Sequence, residues 1–544
     1  MADRLSAREA IALVTDDFAP GGGGAGAMGA AYAMGEPAGV GERAESAPGV
    51  REPGGHEQAE SAPAGYEPGV RESGAGLPAA GDGPIGWAGY GDSRARAAER
   101  TGEDESVLHG TATIGGRPCV LVAFEFGFLG GSLGRAAGDR LVAAYRTAVE
   151  RRLPLVSLVA TGGSRMQEGM IALTQLQRVA AETVRLRAAG LPHVAVLRDP
   201  TTGGGWATVG AGADVVLALP GAQVAFAGSR VRPRDADPSA YTAEEQLAHG
   251  HVDAIVPPDR LRETLALWLR LLAPAPAAAP TGGPGSAPRP STPPPPAPPP
   301  YALGELAPAG TGWDAVRRAR AAGRPRAGAY LDAYFEVRAA IRGDRAGGVD
   351  PGVECGFGIH EGRVVAYAAQ GGGATRPAGF RTAARLVRLA DRLGVPVLTL
   401  IDTPGAANDA EAERAGAGPA IAEAFTAIAE ARTPVTSLLV GEGGSGGALA
   451  LAAPDRTWAT PDGYFSVIAP ELAAAILKRP PDRVPDTADQ LRLRPEDLLE
   501  LGVVRGIVGG DGRRDSRPGS GTGSGSGSGS RTRTGSGQRE APSE

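Results

Sequence analysis

The stretch LPLVSLVATGG at residues 153–163, together with its second copy VPVLTLIDTPG at 395–405, decides the fold of this chain. Each copy is a continuous apolar run that ends in a turn containing threonine and glycine, as expected for a strand buried on both faces of a sheet. Strands and helices of ordinary length alternate around both copies. This alternation predicts an α/β fold with a mainly parallel sheet in each half.

The internal repeat extends beyond these strands. The two copies lie 242 positions apart, and each is followed by a helix, a further strand and a cluster of glycines. The clusters are Gly203–Gly205 and Gly441–Gly447, and we align Gly203–Gly204 with Gly446–Gly447 at a spacing of 243. Each half closes with a helix, a glycine and a strand, in EEQLAHGHVDAIV at 244–256 and EDLLELGVVRGIV at 496–508. We therefore expect two copies of one fold in tandem.

Composition divides the chain further, because many of its 84 glycines and 47 prolines lie outside the repeats. The prediction is a disordered Gly/Ala/Pro-rich segment at 1–104, a first domain at 105–273, a Pro-rich linker at 274–300, a second domain at 301–510 and a disordered Gly/Ser tail at 511–544. Few large apolar side chains are available in the first segment to offset the entropy of ordering. The proline run at 293–296 favours an extended spacer outside any core.

Composition also excludes several classes of function. The net charge of −6 gives no reason to expect nucleic acid as a partner. Lys478 is the only lysine and Leu477 precedes it, so the chain contains no P-loop motif. Cys119 and Cys355 are the only cysteines, and we expect no metal site. With no signal peptide and no long apolar run, we expect a soluble, cytoplasmic protein without a membrane partner.

The two glycine clusters are the strongest candidate sites. Each follows a buried strand and precedes a helix, so glycine would let the backbone approach a ligand closely while the first N–H groups of the helix stay free. Such donors can stabilise an enolate or another developing oxyanion. The alternative is tight packing of strand against helix without a ligand. Because matched clusters occur in both repeats, we favour the binding interpretation.

Two motifs inside the second cluster are weaker candidates. Residues 443–447, GGSGG, fit the G-x-S-x-G pattern, with Ser445 as a hydrolase nucleophile, but no histidine follows His360. The glycines at 441, 443 and 446 also fit a dinucleotide-binding pattern with Asp462 further along. That pattern normally opens a domain, whereas this one lies deep inside its half.

The turns that end the two repeated strands should line the same crevice of each sheet. They contain Gly162 and Gly163 in the first half and Asp402 and Gly405 in the second. Asp402 is either a catalytic carboxylate or, more often in such a context, a turn former. Two arginines near these loops, Arg165 and Arg230, are suited to a phosphate, although most arginines of such a chain lie on the solvated surface.

Several motifs occur in a fixed order: FLGGSLGRAAGDRLV (128–142), GGSRMQEG (162–169), DPTTGGGWAT (199–208) and FAGSRV (226–231), then GFRTAARLVRLADRLGVPVLTLIDTPGA (379–406), VGEGGSGGALAL (440–451) and YFSVIAPE (464–471). The first group resembles the β subunit of the carboxyltransferase of bacterial acetyl-CoA carboxylase. The second group resembles the α subunit. The chain is thus similar to a fusion of β and α, and the resemblance covers nearly all of 105–273 and 325–508.

The resemblance implies a crotonase-like β/α spiral fold in each half and transfer of a carboxyl group from carboxybiotin to acetyl-CoA, giving malonyl-CoA. Biotin would arrive on a carrier protein, so biotin carboxyl carrier protein and biotin carboxylase are the implied partners, in a homodimer or higher oligomer. Gly203 and Gly204 would donate N–H groups to the thioester enolate, and Gly446 and Gly447 to the biotin carbonyl. The remaining residues implied for substrate binding are Gly162, Gly163, Arg165, Arg230, Gly405, Gly443 and Gly444.

The chain departs from that family in three ways, one of which is the short segment RPRDADPSAYTA at 232–243, between FAGSRV and EEQLAHG. Residues 1–104 contain no cysteine, although the bacterial β subunit begins with a four-cysteine zinc ribbon, so zinc is not expected. QGGGATRPAGF at 370–380 replaces a longer basic segment of the α subunit. Two other functions therefore stay open: a biotin-independent decarboxylase of malonyl-CoA or another acyl-CoA on the same fold, and a non-catalytic member of a carboxylase complex. The acyl chain could also be longer than acetyl.

Overall fold

The computed structural model describes residues 4–21, 82–273 and 293–509, which form two compact units. The first unit holds the described residues up to 273 together with Ala339–Val349, and the second holds the other described residues from 293 onwards. Each unit is built around one mixed β-sheet with helices. The α/β fold predicted for both halves is therefore confirmed.

The strands of the first unit are β1 (Asp17–Pro20), β2 (Val107–Ile114), β3 (Arg117–Phe124), β4 (Leu155–Thr161), β5 (His193–Thr202), β6 (Val215–Ala218), β7 (Val224–Ala225) and β8 (Ala254–Ile255). Its helices are α1 (Ala7–Val14), α2 (Tyr90–Thr101), α3 (Arg135–Arg151), α4 (Gly169–Ala188), the single turn α5 (Gly203–Gly205), α6 (Ala243–Ala248) and α7 (Pro258–Leu272). The sheet order is β1-β2-β3-β4-β5-β6-β8, and β7 pairs with β5. Pairing is antiparallel from β1 to β3 and parallel from β3 onwards.

The remaining strands are β9 (Val337–Ile341), β10 (Val353–His360), β11 (Arg363–Gln370), β12 (Val397–Thr403), β13 (Val435–Gly444), β14 (Thr457–Ala459), β15 (Tyr464–Ser466) and β16 (Gly506–Ile507). The remaining helices are α8 (Gly312–Arg320), α9 (Ala327–Tyr334), α10 (Pro377–Leu393), α11 (Ala410–Arg414), α12 (Ala417–Glu430), α13 (Ser445–Leu449), α14 (Pro470–Ile476), α15 (Val484–Gln490) and α16 (Pro495–Glu500). The sheet order is β16-β14-β13-β12-β11-β10-β9, and β15 pairs with β13.

The strands that defined the repeat lie at the centre of each sheet. Every residue of β4 and of β12 is buried, because both faces of these strands are covered. Thr161 pairs with Thr201 in the first sheet and Thr403 with Gly443 in the second, with the same irregularity two residues earlier in each pair of strands. Both pairs are related by the same spacing of 242 positions. The predicted duplication is thus present in the hydrogen-bond register itself.

The expectation of a disordered segment at 1–104 is wrong for the described residues 4–21 and 82–104. Helix α1 begins with a capping box between Ser6 and Glu9 and buries one small apolar face, Ala7, Ala10, Ile11 and Val14. Strand β1 then pairs along β2. Burial of short side chains and a ladder of backbone hydrogen bonds stabilise this segment despite its few large apolar residues. Residues 22–81 lie outside the described residues.

The end of the predicted linker is also corrected. Residues 293–300 pack on the second unit rather than lying outside its core, and Ala297 is buried there. The carbonyl of Ala297 accepts a hydrogen bond from Thr436 Oγ1 (2.8 Å), and that of Pro298 accepts one from Tyr334 Oη (2.9 Å). Proline-rich backbone keeps its carbonyl acceptors, so it can pack against a domain that offers donors. Residues 274–292 and the predicted tail at 511–544 lie outside the described residues.

Candidate active site

The loops that follow β4 and β12 have the same hydrogen bonds in both units. In the first unit, Gly163 N donates to Thr161 Oγ1 (3.0 Å), Leu133 N to Gly163 O (2.8 Å) and Arg165 N to Leu133 O (2.9 Å). The same three bonds occur 242 positions later in the second unit. There Gly405 N donates to Thr403 Oγ1 (3.1 Å), Thr375 N to Gly405 O (3.0 Å) and Ala407 N to Thr375 O (2.8 Å). The threonine hydroxyl caps the end of its own strand, and the preceding loop is attached by two backbone bonds. These loops are therefore fixed in the same conformation in each half.

The glycine turns that follow β5 and β13 are also equivalent, but the alignment of their residues needs a correction. Gly203 has a φ of +65° and Ser445 a φ of +53°, and these are the residues from which α5 and α13 begin. Gly203 and Ser445 are 242 positions apart, which is also the spacing given by the sheet register, so the two turns are equivalent at that spacing. Gly446–Gly447 therefore correspond to Gly204–Gly205, one residue further than the glycine pair chosen from sequence.

The backbone donors of the two turns differ from the expectation in one respect. The N–H of Gly203 donates to the carbonyl of Phe226 (3.0 Å), so it is already used by the fold. Within the described residues, Gly204, Gly446 and Gly447 have no acceptor for their N–H groups. Free N–H groups at the first turn of a helix are suited to an anion or a polarised carbonyl. Gly203 is better described as the residue that makes the turn, since its left-handed φ favours glycine.

Close approach of two backbones explains several of the predicted glycines. A Cβ on Gly203 would lie 2.9 Å from the Cα of Gly163. In the second unit, a Cβ on Gly447 would overlap the backbone N of Ala406, and one on Gly444 would overlap the carbonyl of Pro404. The loop after one strand thus packs against the turn after the next with no room for side chains. Gly443 is buried as well, with Phe465 where its Cβ would be, so its role is packing.

The two turns differ in how open they are. Gly446 is exposed, and a Cβ built on it would meet nothing within 4 Å. Gly204 is buried, and a Cβ there would lie 2.5 Å from a methyl group of Leu176. Gly162 is exposed and its N–H donates to Gly130 O (2.8 Å). The open space beside Gly446 makes it the candidate donor with the clearest access.

The expectation that Arg165 binds a substrate phosphate is contradicted by its position. Its side chain has 0% exposure and forms ion pairs with Glu105 and Glu168. Burial disfavours the charged form, but the hydrogen bonds and charge of Glu105 outweigh this and raise the pKa of the guanidinium above its usual range. Arg165 therefore stabilises the loop that precedes α4. Arg230 is exposed on the segment after β7, where a phosphate contact stays a prediction.

Asp402 is a buried structural carboxylate rather than a free acid or base. Its Oδ1 accepts from Arg324 Nη2 (2.5 Å) and from Glu442 N (3.1 Å), and Arg326 Nη1 lies 3.5 Å from Oδ2. This arrangement attaches the end of β12 to β13 and to the segment before α9. Sequence reasoning did not find Arg324, because a single arginine in RPRAG carries no signal of burial.

The two weaker motif interpretations find no support in the geometry. Gly441 is a packing position, because a Cβ there would lie against the guanidinium of Arg324. Asp462 accepts a hydrogen bond from the N–H of Glu305 (2.9 Å), so its carboxylate holds backbone rather than standing beside the glycine turn. His360, the last histidine, stacks on Tyr334 with ring centroids 3.7 Å apart, and its Nδ1 lies 2.7 Å from the carbonyl of Tyr334.

Across 4–21, 82–273 and 293–509, no cluster of three or more His, Cys, Asp or Glu side chains could hold a metal ion. Cys119 lies in β3 and Cys355 in β10, and both are buried. They do not fit the four-cysteine ribbon of the resembling family. In the same parts of the chain, every helix is too short or too polar to cross a membrane.

The site is thus made mainly of backbone. Each unit presents free N–H groups at the carboxyl ends of parallel strands, on loops held by threonine hydroxyls and by glycine–glycine approach. Preorganised backbone donors are suited to a carbonyl oxygen on which negative charge develops.

Comparison with known proteins relates both halves of the chain to carboxyltransferases. A carboxyl transferase domain matches residues 87–256, and an acetyl co-enzyme A carboxylase carboxyltransferase-like domain matches 306–513. The fold is similar to that of transcarboxylase 12S, solved as a hexamer with methylmalonyl-coenzyme A and methylmalonic acid bound, with a TM-score of 0.60, 20% identity and coverage of 77% of this chain and 84% of that one. Fold and site together define a carboxyltransferase with two crotonase-like domains.

Close relatives make the assignment more specific. The chain is 40% identical over 447 residues to the acetyl-coenzyme A carboxylase carboxyl transferase subunits beta/alpha of Saccharopolyspora erythraea, covering 78% of this chain and 76% of that protein. It is 41% identical over 451 residues to the protein of the same name from Salinispora arenicola, covering 78% and 77%. The chain belongs to the family of fused beta/alpha carboxyl transferase subunits of acetyl-CoA carboxylase.

Proposed function

We propose that this carboxyltransferase moves the carboxyl group of carboxybiotin, presented on a carrier protein, to acetyl-CoA and so forms malonyl-CoA. The observation that carries the proposal is the repeated glycine turn in a chain of this family, with free N–H groups at Gly204 in one half and at Gly446 and Gly447 in the other. Two turns suit a reaction with two substrates, each of which has a carbonyl that gains negative charge.

In this proposal the first half holds the acyl-CoA and the second half holds biotin. Carboxybiotin, when bound, would supply CO2 and a basic ureido group, and the N–H groups of Gly446 and Gly447 would donate to its carbonyl oxygen. The acetyl methyl group would lose a proton to that base, and the N–H of Gly204 would donate to the resulting enolate oxygen. The enolate carbon then bonds to CO2, and the thioester carbonyl re-forms. Every proton and electron pair is supplied by the substrates.

The small number of side-chain acids and bases beside the turns is consistent with this chemistry. Asp402 is ion-paired inside the sheet, Arg165 is buried with two glutamates, and His360 is stacked on Tyr334. A reaction in which the ureido group acts as the base needs from the protein mainly orientation and stabilisation of two oxyanions.

The proposal is tested by carboxyl transfer with purified full-length chain, carboxylated carrier protein and a series of acyl-CoA substrates. The expected result is malonyl-CoA formation that requires the carrier, with acetyl-CoA preferred over longer acyl groups. In the reverse direction, free biotin or the carrier should accelerate the loss of carboxyl from malonyl-CoA.

The same assay separates the alternative functions. Decarboxylation of malonyl-CoA at the same rate with and without biotin would identify a biotin-independent decarboxylase. If the chain neither transfers carboxyl nor decarboxylates malonyl-CoA, with or without biotin, it is a non-catalytic member of a carboxylase complex and the proposal is wrong. The further proposals of a homodimer or higher oligomer, of biotin carboxylase as a partner and of a cytoplasmic location rest on the same family membership.

A further inference from the structure

Gln370 is a buried polar residue at the end of an otherwise apolar strand. It is the last residue of β11, its exposure is 0%, and AYAA precedes it. Its Nε2 donates to Thr375 Oγ1 (3.0 Å) and to the carbonyl of Gly447 (3.2 Å). Burying an amide is costly unless it forms hydrogen bonds. The two bonds of Nε2 offset only part of this cost, because Oε1 is buried without a hydrogen-bond partner among the described residues. We therefore attribute the position of this amide to the groups that its Nε2 satisfies in the glycine turn and the neighbouring loop.

The carbonyl of Gly447 needs this donor because the helix does not provide one. Ala450 N donates to Gly446 O (2.9 Å) as in an ordinary helix, but Leu451 N turns to Ala448 O (3.2 Å). Gly447 itself is buried, and a buried carbonyl without a partner costs about 1–3 kcal/mol. The amide of Gln370 replaces the missing helical hydrogen bond. Fixing this carbonyl fixes the plane of the Gly447–Ala448 peptide. That peptide directly follows the two peptide groups whose N–H donors are free, so the orientation of the turn is restricted at its next link.

The bonds of Gln370 continue into the loop that packs against the turn. Thr375 Oγ1 lies 3.4 Å from Thr403 Oγ1, which accepts from Gly405 N (3.1 Å). The loops after β11, β12 and β13 are thereby joined through side chains. A change at Gln370 is expected to loosen Gly446 and Gly447 relative to the loop of Gly405.

The position in the first unit that corresponds to Gln370 has no amide. Ala369 pairs with Leu400 and Ala123 with Leu158, so the residue equivalent to Gln370 is the buried, apolar Phe124. There the turn continues into a π-helical turn, Trp206–Gly210, and the hydroxyl of Thr208 donates to Gly204 O (2.7 Å). The two halves thus hold equivalent turns by different means.

We propose that Gln370 is a positioning residue for the Gly446–Gly447 turn, and so for the biotin side of the reaction. The role in catalysis rests on the proposed function, but the effect of Gln370 on the rigidity of the turn does not depend on any activity. Gln370 has no exposed surface, so we assign it no substrate contact: it acts by holding the carbonyl of Gly447. A variant should therefore affect the second half and leave acyl-CoA binding in the first half unchanged.

The first test is Gln370→Met, which keeps the side-chain length and removes both donors. We expect kcat for transfer to fall about 10- to 100-fold while KM for acetyl-CoA stays within twofold, since loss of orientation at one oxyanion site acts on turnover. Hydrogen exchange should accelerate in the peptide covering 443–451 and stay unchanged in the one covering 201–210. The control is Gln175→Met, because Gln175 is also a buried amide that holds a carbonyl, that of Ile171 (2.7 Å), in α4 of the first unit.

The second test is Gln370→Glu, whose carboxyl can donate only when it is protonated. Burial raises the pKa of such a carboxyl, so the ratio of variant kcat to wild-type kcat should rise as the pH is lowered. A merely structural role predicts a constant ratio wherever circular dichroism shows both proteins folded. Unchanged exchange at 443–451 in Gln370→Met overturns the proposal whether or not the wild type is active, and a flat ratio for Gln370→Glu overturns it too. Failure of the wild type to transfer carboxyl overturns the proposed function alone.

Discussion

Replacement of Gly446 by valine is the most direct perturbation of the candidate site. The backbone of Gly446 is outside the left-handed region, and an added Cβ would meet nothing within 4 Å, so the folded chain has room for the side chain. Valine has a higher helix propensity than glycine, by a few tenths of a kcal/mol. The fold of Gly446→Val should therefore remain intact.

The effect on turnover follows from the position of that Cβ. An oxygen that accepts from the N–H of Gly446 would lie about 2.9 Å from the nitrogen. The new Cβ is about 2.5 Å from the same nitrogen, so the valine methyl groups occupy the space in which the acceptor's neighbouring atoms must lie. Loss of one oxyanion donor typically lowers kcat about 100- to 1,000-fold, or about 3–4 kcal/mol. We expect Gly446→Val to reach that range.

The assay is carboxyl transfer from carboxylated carrier protein, with acetyl-CoA binding and thermal unfolding measured on the same preparation. The control is Gly418→Val, because Gly418 is an exposed helical glycine of α12 whose Cβ would also meet nothing within 4 Å. Acetyl-CoA binding and the unfolding midpoint should match between the two variants. If the turnover of Gly446→Val stays within about threefold of the control, Gly446 does not donate to the reacting oxygen and the reasoning is refuted.

Three further predictions concern stability. Burial lowers the pKa of His193 to about 4, below the ordinary value of about 6.5. The contribution of the neutral His193 to the free energy of unfolding is therefore fully present above pH 6.5. It is lost, by about 3 kcal/mol, as the pH falls towards 4. Urea unfolding should show this loss in the wild type and not in His193→Phe, and equal pH dependence would contradict it. Arg165→Met leaves two buried glutamates without their cation and should lower the free energy of unfolding by about 3–5 kcal/mol; normal stability with weakened acyl-CoA binding would instead restore the phosphate-binding interpretation. A chain that begins at residue 22 loses β1 and exposes the edge of β2, so light scattering should show aggregation and calorimetry a lower unfolding midpoint; an unchanged midpoint would mean that residues 4–21 do not stabilise the first unit.

The sequence predicted the elements well where the signal was local. The continuous apolar runs at 153–163 and 395–405 became the central strands β4 and β12. The helix α1 (Ala7–Val14) and its packing on the first unit were not expected. Small side chains pack well only against a complementary surface, and that surface comes from distant residues.

The candidate site was predicted in place but not in detail. The loops of Gly163 and Gly405 and the turns of Gly204 and Gly446 lie where the repeat placed them. The one-residue error in matching the turns arose because glycines were aligned by identity, whereas the sheet register sets the equivalence. The phosphate-binding role expected for Arg165 rested on its positive charge alone. The sequence does not reveal that Arg165 is buried in ion pairs with Glu105 and Glu168.

What the sequence determined by itself is the α/β fold, its duplication and the edge of each sheet at which glycine turns follow buried strands. These features depend on periodicity and residue type along short stretches of chain. Only the tertiary structure decided which N–H groups remain free: Gly203 is bonded to Phe226, while Gly446 is open. It also revealed that Gln370 holds the carbonyl of Gly447 across 77 positions. Hydrogen-bond partners of a turn come from segments far apart in the chain, so they are settled only when those segments pack together.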